Sequence, residues 1–230
     1  MIKKLIKKVL FHYIGDGFCT SHNVSFLKDI NFIKAYNKAC KIVGHDSKIH
    51  FRIHQIFWAG KYCQKIRGDI VEIGTGTGFS MLALLNFLKN WNKVKKKLYL
   101  FDTFSPYKVD EFGKLTSNKS QHYATSFEKT KKNFENFKRI NFVKGDVFKT
   151  LINYKNLKIS MLHIDLNYAE AEVYSLNFFW KNISKGGIII LDDYAYMGRN
   201  RQFVYLNKLA KKLNFNILTV PSGQGIIIKN

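Results

Sequence analysis

The chain is poor in proline, arginine and acid. Pro106 and Pro221 are the only prolines among 230 residues, which excludes a Pro-rich linker or polyproline spacer. Asp and Glu number 16 against 38 Lys and Arg, for a formal net charge of +22. Arginine supplies only Arg52, Arg67, Arg139, Arg199 and Arg201 of that excess. Lysine is accompanied by abundant Asn, Ile and Phe, the pattern of an AT-rich coding sequence with a solvated surface. Attraction for an anionic substrate, a membrane or nucleic acid is the alternative reading. Cys19, Cys40 and Cys63 are odd in number and lack metal or redox spacing. A disulfide framework is therefore not expected, and a reduced, cytoplasmic protein is. No apolar run approaches the roughly 20 residues of a membrane span.

The opening stretch "MIKKLIKKVLFHYIG" is basic and amphipathic. Ile2, Leu5, Ile6, Val9 and Leu10 form one helical stripe, with Lys3, Lys4, Lys7 and Lys8 opposite. Residues 1–14 could thus contact the anionic inner surface of a membrane peripherally. A surface helix packed on its own domain is the simpler reading of the pattern. Lysines interrupt any signal-peptide core.

Hydrophobic content of 46% suits one α/β domain with added segments. Residues 1–66 read as a helical N-terminal extension or lid, and 67–230 as the main domain. From Gly68 onward short apolar strands alternate with helical patterns. Strands are expected at 69–73, 98–102, 140–144, 158–165 and 187–192, and helices near 78–90, 122–137, 168–182 and 199–213. That alternation implies right-handed crossovers and a mainly parallel, Rossmann-like sheet. "FNILTV" and "GIIIKN" around Pro221–Gln224 read as a closing antiparallel hairpin. The combination is typical of class I methyltransferases, a group that implies seven strands in the order 3-2-1-4-5-7-6.

The first predicted strand runs into "VEIGTGTGFS", with Gly74, Gly76 and Gly78 at alternate positions. A dinucleotide turn has the spacing G-x-G-x-x-G. Here Glu72 stands two residues before the first glycine, close to where a diphosphate would lie. S-adenosylmethionine has no phosphate and carries an ammonium, so Glu72 suits it better, directly or by shaping the loop. Asp102 ends the second strand, where a carboxylate can accept from both ribose hydroxyls. Asp146 follows the third, placed to meet the adenine amino group. Thr75, Ser80, Thr103 and Val147 accompany them as cofactor-binding candidates. Each acid alone could equally cap a loop. Three at successive strand ends are harder to dismiss, because open α/β sheets bind ligands there.

"MLHIDLNYAEAEVYSLNFFWKNISKGGIIILDDY" and "VPSGQGIIIK" resemble the macrocin O-methyltransferase family over about residues 50–230. The resemblance implies a metal-assisted sugar O-methyltransferase. Its motif places an acid after the fourth strand and two after the fifth, here Asp165, Asp192 and Asp193. Three converging carboxylates would repel one another without a cation, and oxygen ligands suit Mg²⁺, with Mn²⁺ or Ca²⁺ as other occupants. Many members carry a second acid after the fourth strand, where this chain has Asn167. The alternative is that Asp192 and Asp193 merely cap the following helix. Asp165 is the candidate base, with His122 and His54 as substitutes. His163 shares its strand face but lies deeper, as a satisfied core histidine would. Trp58 and Tyr62 are expected in the core. Arg199 and Arg201 could hold a phosphate of a nucleotide- or lipid-linked sugar.

Two other functions compete. The charge suggests an RNA or DNA methyltransferase, but "DLNY" lacks the prolines of the amino-directed motif and no catalytic cysteine pair appears. A non-catalytic binding module on the same fold is disfavoured by the intact acids. A homo-oligomer remains among the expected assemblies.

Overall fold

A computed structural model describes residues 11–105 and 126–230. His122, most of the amphipathic stretch and the start of the helix expected at 122–137 lie outside them.

The first element is a hairpin, β1 (Tyr13–Gly15) and β2 (Phe18–Thr20), where helices and loops were expected. Its turn is Asp16–Gly17, both with positive φ, 50° and 77°. That backbone matches the right-handed twist of a two-residue hairpin, and Asp-Gly is a strong local signal for it. Helices α1 (Ile30–Val43) and α2 (His50–Cys63) follow. Asp29 caps α1 by accepting from the amides of Asn31 and Phe32, and Gly44 ends it in the left-handed region.

The remaining chain alternates as expected: β3 (Asp69–Ile73), α3 (Phe79–Phe87), β4 (Leu98–Asp102), α4 (Phe127–Asn133), β5 (Ile140–Lys144), α5 (Val147–Thr150), β6 (Ile159–Ile164), α6 (Ala169–Phe179), β7 (Ile183–Leu191), α7 (Asn200–Leu213), β8 (Leu218–Thr219) and β9 (Gly225–Ile228). The seven-stranded sheet has the order β5-β4-β3-β6-β7-β9-β8. Strands β3 to β7 pair in parallel, and β9 is antiparallel to both β7 and β8. In sheet numbering this is 3-2-1-4-5-7-6, the class I methyltransferase order.

Both faces of the parallel strands are covered, so the strands read as nearly continuous apolar runs. Ile70, Leu98, Leu100, Met161, Ile188 and Ile190 meet α1, α2 and α3 in one cluster. Val71, Ile73, Phe101, Leu162, Ile164 and Ile189 meet α6 and α7 in the other. Polar residues interrupt this core at Glu72 on β3 and His163 on β6, which pair across the two strands. The strand order reverses at β3, and the carboxyl ends there open into the crevice that such sheets offer to ligands.

Candidate active site

The glycine turn after β3 is held by the neighbouring strand ends. Gly74 N–H donates to Phe101 O at 2.8 Å, and Asp165 N–H donates to Ile73 O at 2.8 Å. Gly74 has φ 91°, and a Cβ there would lie 1.8 Å from the Asp165 carbonyl oxygen. Only glycine lets the two backbones pass so closely. Asp102 braces the turn from β4: one carboxylate oxygen accepts from Gly76 N–H and the other from Phe104 N–H, both at 2.7 Å.

Two clefts flank that carboxylate. One, of about 390 Å³, is lined by Glu72, Gly74, Thr75, Gly76, Ser80, Asp102 and Asp165. The other, of about 190 Å³, is lined by Asp102, Thr103, Asp146, Val147, Phe148 and Tyr168. Nine of the ten cofactor candidates thus line one cleft or both. The tenth, Gly78, sits at the start of α3 in the left-handed region. Asp146 also caps α5 through Phe148 N–H at 3.0 Å, so capping and cleft lining coincide.

Behind the larger cleft lies the acidic cluster. Oxygens of Asp165, Asp192 and Asp193 come within 4.8 Å of one another. The three are not equivalent. Asp192 Oδ1 accepts from Gln224 Nε2 at 2.6 Å and faces His163 Nε2 at 3.4 Å, while Oδ2 accepts from Arg52 Nη1. Burial would raise the Asp192 pKa, but Arg52, His163 and Gln224 hold it well below the carboxylate range. Asp193 is pushed up to about 6 by burial and by Asp192. Among the described residues its buried Oδ2 accepts no hydrogen bond, with Arg199 Nε 3.5 Å away. Asp165 is raised well above its ordinary range by burial and by the other two acids.

His163 is wholly buried and joins the site to the glycine turn. Burial would lower its pKa, but hydrogen bonds with Asp192 and Glu72 push it up to about 10. Its Nδ1 lies 3.1 Å from Glu72 Oε1 and its Nε2 3.4 Å from Asp192 Oδ1. It is the satisfied core histidine expected, and it bridges two acids. Glu72 keeps its second oxygen buried and without a hydrogen bond, and burial raises its pKa.

Arg52 had no role in the sequence reading, nor did Asp16 or Gln224. Arg52 donates from Nε to Asp16 at 3.0 Å and from Nη1 to Asp192, stands 3.7 Å from Asp193, and lies over the Tyr196 ring at 4.5 Å. Its position in the first turn of α2 is itself a signal, because the helix dipole disfavours a cation there unless acids lie close by. Those acids are remote in sequence, so no spacing reveals them. Arg52 is thus a cation of the protein itself set against these acids. Five carboxylates, Asp16, Glu72, Asp165, Asp192 and Asp193, face Arg52, His163 and Arg199. The crowding of Asp165, Asp192 and Asp193 oxygens within 4.8 Å of one another and the Asp193 Oδ2 without a hydrogen bond among the described residues fit a divalent cation.

Other expectations are also corrected. His54 packs 4.2 Å from the Phe26 ring and 6.1 Å from Phe32, and it lines neither cleft. Standing two residues after Arg52, it points to the opposite side of α2. Trp58 and Tyr62 are stacked at 6.2 Å but nearly half exposed, not core. Arg199 donates to Asn167 and Arg201 to Glu170, so both face internal partners and not an open phosphate cradle. Asn167, at φ 55°, also reaches Asp165 Oδ1 at 3.4 Å.

The profile of the macrocin-O-methyltransferase (TylF) family matches residues 33–224. No curated protein matches the chain. Among solved structures, the O-methyltransferase NovP superposes with a TM-score of 0.66 at 18% identity, covering 78% of this chain and 79% of NovP. The calicheamicin methyltransferase CalS11 superposes at 0.61 and 14%, covering 85% and 91%. Its apo form is described as a TDP-rhamnose 3'-O-methyltransferase. TomG from Streptomyces achromogenes, solved in complex with SAM, superposes at 0.56 and 12%, covering 90% and 95%.

Proposed function

The chain belongs to the macrocin O-methyltransferase family and is an S-adenosylmethionine-dependent O-methyltransferase, and from that premise we propose that it methylates a sugar hydroxyl with the help of a divalent cation. The observation that carries this reading is the acidic cluster, which reaches, through Asp165, the wall of the cleft that the glycine turn builds. The methionine end of the cofactor lies in the larger cleft, where the free oxygen of Glu72 attracts its ammonium. The adenosine lies in the smaller one beside Asp146, with the ribose at the shared Asp102. Residues 11–66 are the described part of an N-terminal extension that we read as a lid, and His45, Ser47 and Ile49 from it line the larger cleft.

Methyl transfer is an in-line displacement. The acceptor oxygen forms a bond to the methyl carbon, the carbon–sulfur bond breaks, and its electron pair stays on sulfur. The acceptor proton passes to the Asp165 carboxylate at the cleft wall. The cluster of Asp165, Asp192 and Asp193 would hold Mg²⁺ or a similar ion, which supplies acidification and orientation of the hydroxyl when bound. The likeness to CalS11, described as a TDP-rhamnose 3'-O-methyltransferase, supports a sugar acceptor, and a nucleotide-linked one.

A chelator should abolish labelled methyl transfer to an acceptor from a sugar panel, while calorimetric affinity for S-adenosylhomocysteine stays within about threefold. Asp102→Ala should weaken that affinity by about 1–3 kcal/mol, since a charge-assisted bond is lost. Full transfer after chelation would sink the metal, and absence of S-adenosylhomocysteine binding would sink the cofactor assignment.

A further inference from the structure

We propose that the face formed by the outer side of α2, the end of α6 and the β8–β9 edge docks the protein peripherally on an anionic membrane. Aromatic and aliphatic side chains enter the interface there, and the lysines beside them meet the headgroups. The contact depends neither on the metal nor on the acceptor.

Trp58 and Tyr62 are 46% and 45% exposed, and Leu218 and Ile228 are 62% and 53% exposed. They belong to one face. Trp58, Trp180, Phe215, Leu218 and Ile228 line a single cleft of about 570 Å³, and Tyr62 stacks on Trp58 at 6.2 Å. Trp180 stacks on Phe215 at 4.3 Å and carries Lys229 Nζ 4.6 Å from its ring centre. On α2, Trp58, Lys61, Tyr62 and Lys65 are spaced by three and four, which places them on one side of the helix, and all four are exposed. Lys181 beside Trp180 and Lys185 near the start of β7 are exposed as well.

No acid offsets these lysines. Residues 47–68, 173–191 and 194–230, which build the face, contain no Asp or Glu. Large apolar side chains gathered in the open mark an interaction site. Trp and Tyr flanked by lysine are the set that settles between water and lipid, and each lysine gains from an anionic headgroup. A second copy of the chain would bring lysine against lysine. Leu218 and Ile228 have no ring on which a nucleic-acid base could stack. No described helix can span a bilayer, so the contact is peripheral. Because α2 ends shortly before β3 and Lys185 lies near the start of β7, the face lies toward the amino ends of the parallel strands. The two clefts lie at the carboxyl ends and stay open to water when the face is docked.

The test is co-sedimentation of the full chain with vesicles of phosphatidylcholine containing about one third phosphatidylglycerol, against vesicles of phosphatidylcholine alone. The wild type should bind the anionic vesicles about tenfold more tightly or better, and about 0.5 M salt should release it. The double variants Trp58→Ser, Leu218→Ser and Lys61→Gln, Lys185→Gln should each weaken that binding about fivefold or more, with affinity for S-adenosylhomocysteine unchanged. If the first double variant does not melt cooperatively, the lysine pair decides the question. Absence of binding to the anionic vesicles, or unchanged binding in a folded double variant, overturns the proposal. Binding lost only when Lys3, Lys4, Lys7 and Lys8 are replaced by Gln overturns it too, and assigns the contact to the opening stretch. A dimer seen by light scattering that Trp58→Ser, Leu218→Ser dissolves would give the face to a second copy, and bulk RNA that displaces the vesicles would give it to nucleic acid; either result overturns the membrane assignment.

Discussion

At the scale of single residues, Gly74 and Gly76 look alike in the sequence but are constrained for different reasons. A methyl group on Gly74 would meet the Asp165 carbonyl oxygen at 1.8 Å, backbone against backbone. A methyl group on Gly76 would meet nothing within 4 Å, and only its φ of 54° opposes a side chain. Gly74→Ala should therefore destabilise the protein by about 3 kcal/mol or more, as overpacking with no flexible neighbour to yield. Gly76→Ala should cost about 1–2 kcal/mol, the left-handed penalty alone. Urea unfolding of the two variants checks the order, and equal losses would show that the Gly74 crossing relaxes. The glycines and the acids Asp102 and Asp146 were legible because turn chemistry and strand ends are local properties of the chain, and Asp165, Asp192 and Asp193 were legible through the family resemblance. Arg52 and Asp16 were not, because they reach the site from elements whose place only the packing sets.

At the scale of elements, α1 and α2 join the site to a layer of rings. His50 stacks on Tyr36 at 4.4 Å, and His54 packs on Phe26. Burial lowers the pKa of both histidines, against the opposing pull of Asp46 and Asp16 on His50 and of Asp29 on His54. As pH falls through about 6.5, the unfolded chain takes up protons at these rings more readily than the folded chain does. Their contribution is thus present above that pH and lost below it. As pH falls from 7.5 to 5.5, the melting temperature of the double variant His50→Phe, His54→Phe should therefore rise relative to that of the wild type. The raised carboxylates of the site titrate in the opposite sense, so the difference between wild type and variant isolates the histidines. An identical pH profile in the two proteins would refute the account. The β1–β2 hairpin belongs to this scale too: its Asp16–Gly17 turn was a readable signal, masked by three-residue strands too short to show alternation.

At the scale of the whole molecule, the charge of +22 is the feature most open to misreading. Among the described residues no helix is long and apolar enough to cross a membrane. The buried charges of the site are not part of the lysine excess: its basic groups are Arg52, His163 and Arg199, set among acids. Labelled methyl transfer to bulk RNA or DNA should therefore not exceed that of an Asp165→Ala control, and transfer above the control would reopen the nucleic-acid reading. The alternation of apolar strands with helices, ending in a hairpin around Pro221, determined the class and the strand order expected of it. Hydrophobic period and turn residues act over a few positions, so the chain carries them openly. The tertiary structure alone decided which charges meet. The pKa of His163 is raised because two acids, from β3 and the end of β7, close on it, and Asp192 takes hydrogen bonds from groups 29 to 140 positions away in the chain order, on α2, β6 and the final turn. Electrostatic environment depends on distance through space and on exclusion of water, and neither is written in sequence spacing.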